Sequence, residues 1–218
     1  IRVPKILKKI KDPVSCLTHM AGAIASIVGM VFLILLAIRE GTPWHIVGFS
    51  IFGASLILLY SASTIYDMLD ISDRVNLILR KVDHMMIFVL IAGTYTPICI
   101  TALRGGLGWT LLVVIWTAGI LGMILKGVWM NAPRWLSTLI YAVMGWMIIL
   151  AIYPLAKAIP AQGTVFLVMG GRFYTIGAVI YGLKWPKINF KYFGFHEIFH
   201  IFVLAGSLSH FFMMYYVI

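Results

Sequence analysis

His196 and His200 stand four residues apart, with Glu197 after the first, in an otherwise apolar run from Phe193 to Ile218. On a helix such residues lie one turn apart on one face, so both imidazoles can reach a single metal ion. Ionisable side chains are costly in a hydrocarbon-facing segment and point there to a function and a partner. The candidate partners are the acids Asp67 and Asp83. Two histidines and a carboxylate, with water in the fourth position, make a catalytic zinc shell, for which Asp67 and Asp83 are the candidate acids. Ser63, one turn before Asp67, can hydrogen-bond a ligand from behind. Asp83 then either ligates the ion or acts as general base for a water whose acidity the zinc raises. The membrane setting makes a lipid amide or ester the expected substrate.

Other readings of the same residues stand beside this one. His196-Glu197-x-x-His200 is the literal pattern of zinc metalloproteases, with Glu197 as base, although no second motif supplies that class's third ligand. Helical histidines also hydrogen-bond neighbouring helices with no metal involved. Asp83 at the start of a helix would complement the helix dipole. His19 and His84 read as supporting or structural groups, and His45 and His210 as structural ones away from the layer.

The elements that must position these residues follow from composition. Of 218 residues, 62% are hydrophobic and 11% charged, too few charges to cover a soluble domain. A polytopic, all-α membrane protein is expected. Seven apolar runs, at about 14–38, 45–67, 83–103, 108–126, 134–156, 164–183 and 193–216, approach the length needed for a ~30 Å core. Their short connections imply antiparallel neighbours in a seven-helix bundle. Residues 1–13 carry Arg2, Lys5, Lys8, Lys9 and Lys11 among apolar residues and read as a basic amphipathic segment on the membrane surface; residues 14–218 form the transmembrane domain. Cys16 and Cys99 fall towards opposite faces, which argues against a disulfide.

Basic residues set the orientation. One side collects the five leader cations, Arg74, Arg80, Lys81, Lys126, Arg134, Lys184, Lys187 and Lys191, whereas the other has Arg39, Arg104 and Lys157. The positive-inside bias puts the N-terminus in the cytoplasm and the C-terminus outside. The net charge of +10 is then met by anionic lipid headgroups, not by nucleic acid. This topology brings His19, Ser63, Asp67, Asp83, His84, His196 and His200 into one layer near the cytoplasmic face.

The chain resembles the bacterial haemolysin III family of the progestin and adipoQ receptor superfamily over nearly its whole length. The resemblance is carried by Asp12-Pro13, Thr18-His19, Ser63-Thr64-Ile65-Tyr66, Lys81-Val82-Asp83-His84, Ala92-Gly93-Thr94-Tyr95-Thr96-Pro97, Gly170-Gly171, Tyr174-Thr175-Ile176-Gly177-Ala178, Phe195-His196 and His200. It implies seven helices in the cell membrane, a zinc site near the cytoplasmic face, and kinship with alkaline ceramidase-type hydrolases. The family's paired histidines fall on His196 and His200, its acid on Asp83 and its serine on Ser63. Its first ligand histidine falls on Asp67, an exchange that adds negative charge, shortens the reach and makes a bound water less acidic. Zinc occupancy is therefore an open property of this chain. A receptor-like or membrane-homeostasis protein with a structural metal is the alternative. A cytolytic pore, which the family name suggests, lacks a continuous polar stripe in any span.

Overall fold

Pro13 and Pro43 each stand at the first position of a helix, where the missing N–H is not needed and the fixed φ already suits the helix. They open α1 (Pro13–Glu40) and α2 (Pro43–Met68) in a computed structural model that describes residues 10–129, 133–188, 190 and 193–218. The remaining helices are α3 (Asp73–Ile100), α4 (Gly106–Val128), α5 (Arg134–Trp146), α6 (Ile152–Ala158), α7 (Ala161–Leu183) and α8 (Phe195–Tyr215). A 3-10 turn, Met147–Ala151, joins α5 to α6, so the two form one broken span. No strand occurs among the described residues. Apart from residues 10–13, the expected surface segment over residues 1–13 lies outside the described residues.

Among the described residues, six spans are long and apolar enough to cross a bilayer: α1, α2, α4, the broken span Trp135–Ala158, α7 and α8. Large apolar side chains face outward along them, among them Ile24, Val28, Leu35, Val113, Leu121 and Ile124. That belt suits lipid, where apolar exposure costs nothing and backbone groups are satisfied inside each helix. The expected third span, 83–103, lies in α3. Here the sequence-based boundary needs correction, because α3 starts ten residues earlier. Ser72 caps it, its Oγ accepting from Val75 N–H at 3.4 Å, and Asp73 is the acid of its first turn. Asp83 therefore sits well inside the helix, and the dipole-capping alternative for it falls to Asp73 and Ser72. The stretch expected to be a loop after Asp70 is mostly helix.

α3 is the central helix. Residues 92–100 are buried without interruption, which requires neighbours on every side. α2, α4, α5 and α8 all contact it. Close approach is possible where side chains are absent: a methyl on Gly48 would lie 2.7 Å from Pro97 Cα. The short links between α1, α2, α3 and α4 make these helices run alternately up and down, while α8 packs against α1 and α7. Cys16 and Cys99 lie near opposite ends of the bundle, both buried and both free.

The break in the Trp135–Ala158 span has a local cause. Pro154 has no N–H for the Leu150 carbonyl, and its ring crowds that same carbonyl. α3 meets the break with one hydroxyl. Tyr95 donates towards the Met144 and Gly145 carbonyls, at 2.8 and 2.7 Å, and accepts from Ile148 N–H at 2.8 Å. Tyr95→Phe would leave those groups without this partner. It is expected to destabilise the detergent-solubilised protein by about 1–2 kcal/mol, read as a lowered thermal midpoint.

Candidate functional site

Because α1, α3 and α8 run one way and α2 the other, the starts of α1 and α8 meet the end of α2. The Asp12 N–H donates to the Asp67 carbonyl at 2.9 Å, fixing the entry of α1 to the exit of α2. Ser15 Oγ donates to Glu197 Oε1 at 2.9 Å and lies 3.4 Å from His196 Nδ1, fixing α1 to α8. α3 passes the same level with Asp83 and His84. The expected polar layer is thus assembled from four helices.

At its centre lie side chains almost wholly out of reach of solvent: His19 is 3% exposed, His200 2% and Asp67 0%. The His19 and His200 rings stack with centroids 3.5 Å apart and planes 8° from parallel. The His196 ring meets His200 edge-on at 4.5 Å. Asp67 Oδ2 is 3.9 Å from His200 Nε2. Ser63 Oγ is 2.7 Å from His19 Nδ1 and also neighbours the half-buried Asp83 carboxyl. Four buried polar atoms of this cluster have no hydrogen-bond partner: His19 Nε2, His200 Nδ1 and both carboxylate oxygens of Asp67. Buried polar atoms are normally paired, so this concentration marks a place that another chemical group completes.

Among the described residues, no three of His, Cys, Asp and Glu are arranged as a ready metal cage. The expected ligands His196, His200 and Asp67 do come together, but with His19 among them. Sequence reasoning set His19 at this level, and the structure stacks its ring on His200 and bonds it to Ser63. Ser15 went unnoticed, since one serine in an apolar helix carries no distinguishing pattern. Ser63 supports His19 rather than Asp67.

A cavity of about 540 Å³ opens from this layer into the bundle. His19, Ser63, Asp83, His84, His196 and His200 line its polar end, and Ile87, Leu90, Ile98, Ile148, Leu167 and Val203 are among its apolar walls. Asp67 is not part of the wall. His210 also borders it, farther along α8, with Nε2 3.3 Å from the Leu167 carbonyl. His45 is remote from the site: its Nδ1 accepts from Thr42 N–H at 3.1 Å, so Nε2 donates to the Val217 carbonyl at 3.2 Å. Arg172 is exposed on α7.

Glu197 has a defined structural task. Oε2 accepts from the Gly194 N–H at 2.7 Å, satisfying an open donor at the start of α8, and Oε1 accepts from Ser15. Both oxygens are engaged, which leaves the protease-type base role without support.

An all-helical, multi-pass bundle with histidines and acids at one end of an internal cavity is the class that the geometry defines. A family described as "Haemolysin-III related" matches residues 7–211, and the chain belongs to it. It is similar to the "Hemolysin-3 homolog" of Bacillus subtilis (strain 168), 41% identical over 204 residues covering 93% of this chain and 92% of that protein. It is also similar to the "Hemolysin-3" of Bacillus cereus, 39% identical over 219 residues covering 100% and 97% respectively.

The capping role of Glu197 gives a check. Glu197→Ala is expected to lower stability by about 0.5–2 kcal/mol, while Glu197→Gln, which keeps an acceptor for Gly194, loses less. Thermal unfolding in detergent measures both, and equal stability of the alanine variant and the parent would contradict the assignment.

Proposed function

We propose that the protein is a metal-dependent integral membrane hydrolase of the haemolysin III type, with zinc as the ion and a lipid amide or ester as the substrate. In this reading α3 makes a seventh crossing, the N-terminus is cytoplasmic, and the polar layer faces the cytoplasmic side of the cell membrane. One observation carries the proposal: a layer of histidine and acid side chains meets one end of an internal cavity of about 540 Å³ with largely apolar walls. Such a cavity suits a molecule with an apolar chain and a polar, reactive head.

The residues fit a metal by the test of unsatisfied atoms, since His200 Nδ1, His19 Nε2 and both Asp67 oxygens lack partners. His196, His200 and Asp67 would hold the ion, an imidazole and carboxylate set of the kind zinc accepts. When bound, zinc supplies polarisation of the substrate carbonyl and acidifies a water. The chain's own residues do the rest. Asp83, on the cavity wall beside Ser63, takes the proton of the attacking water and returns it to the leaving group. Ser63 orients that carboxylate, and the apolar wall seats the chain and excludes bulk water.

A second reading, a receptor-like or membrane-homeostasis protein with a structural metal, is favoured by the close His19–His200 stack, which already ties α1 to α8. Hydrolysis decides between the two. Purified protein in detergent is expected to cleave a member of a lipid amide and ester panel, and to stop when the metal is chelated. Asp83→Asn should lower kcat by about 10²–10⁴-fold at unchanged metal content. Metal-dependent thermal stability with no turnover on any lipid would support the structural reading instead. Elemental analysis of the same preparation tests the metal directly: Asp67→His is expected to raise zinc affinity, and an unaltered affinity would remove Asp67 from the ligand set.

A further inference from the structure

We propose that His19, on the first helix, is an additional imidazole ligand of the ion, so that the metal is held by α1, α2 and α8 together. The inference rests on the metal-dependent reading above and extends its ligand set. It starts from the proton on Ser63. Ser63 can give its proton to the neighbouring Asp83 carboxyl when that group is ionised and can only accept. Ser63 Oγ is then the acceptor at 2.7 Å from His19 Nδ1, which carries the ring's N–H. That tautomer leaves His19 Nε2 as a bare lone pair. It is buried, and no donor reaches it.

An imidazole tethered through one nitrogen, with the other free in a water-poor pocket, has the arrangement that metal-ligating histidines adopt. Its surroundings agree. The ring lies face to face with His200, the histidine of the paired motif that also has an unpartnered nitrogen. Asp67, with two unpartnered oxygens, is 3.9 Å from the other ring nitrogen of His200, Nε2.

The test uses full-length protein in detergent, loaded with zinc for affinity by chelator competition and with cobalt(II) for its visible ligand-field spectrum. His19→Gln is expected to lower zinc affinity by more than the roughly 10–100-fold attributed to an outer-sphere partner, and to alter the cobalt bands. Ser63→Ala, which keeps the imidazole and removes its tether, is expected to lower affinity within that range and to leave the band pattern close to the parent's. It also covers the case in which His19→Gln fails to fold. Unchanged affinity and spectrum in His19→Gln, or unchanged affinity in Ser63→Ala, would overturn the assignment while leaving the metal-dependent reading intact. Parent protein that binds neither zinc nor cobalt would overturn both.

Discussion

A carboxylate with no exposed surface must be compensated, and the rest of this molecule is arranged around that requirement at Asp67. Burying an isolated charge in a low-dielectric interior is far more costly than any single contact in the bundle can offset. The side chain has His200 nearby and no hydrogen bond of its own, yet its backbone is firmly held: its carbonyl receives the Asp12 N–H. The end of α2 is thus fixed against the start of α1, and Ser15 extends the attachment to α8 through Glu197. Backbone and neighbours are secured; the carboxylate itself is left open.

The supporting architecture follows from membrane physics. In lipid, helix association gains little from apolar burial, so the bundle relies on close backbone approach and on hydrogen bonds between spans. Gly48 against Pro97 supplies the first. The second appears at mid-height, where Tyr60 donates to Ser207 Oγ at 2.6 Å and Tyr174 shares the same hydroxyl at 2.7 Å. These contacts join α2, α7 and α8 beyond the histidine layer. Between α3, α7 and the broken fifth span the packing is looser, and the cavity lies there. A break at Met147–Ala151 is compatible with the membrane because Tyr95 satisfies the groups that the break frees.

Much of this was legible in the sequence, for a physical reason. Apolar runs report spans directly, and alternation of basic loops then fixes which polar residues share a level. His196, His200, Ser63, Asp67 and Asp83 were found in that way. Boundaries were less legible. Arg74, Arg80 and Lys81 look like a loop by charge, yet α3 extends through them because Ser72 caps it earlier and long basic side chains are comfortable at the bilayer surface. Lys81 even finds a partner there, donating to the Gly127 carbonyl at the end of α4 at 2.9 Å. The central place of His19 and the engagement of Glu197 could not be read, since both depend on rotation of helices about their axes. A shift of one residue in register turns a helical side chain by 100°, which decides whether a histidine supports a site or belongs to it.

That rotation bears on the exchange at position 67. A carboxylate is shorter than an imidazole, so an ion held by Asp67 must sit nearer α2 than one held by a histidine there. The shift moves it towards the start of α1, where His19 waits with Nδ1 engaged and Nε2 open. Charge points the same way. A carboxylate in the shell lowers the net positive charge of the site and weakens the electrophile, whereas an added neutral imidazole restores donor number without adding charge. In the proposed site the carboxylate from α2 and the added imidazole from α1 would compensate one another.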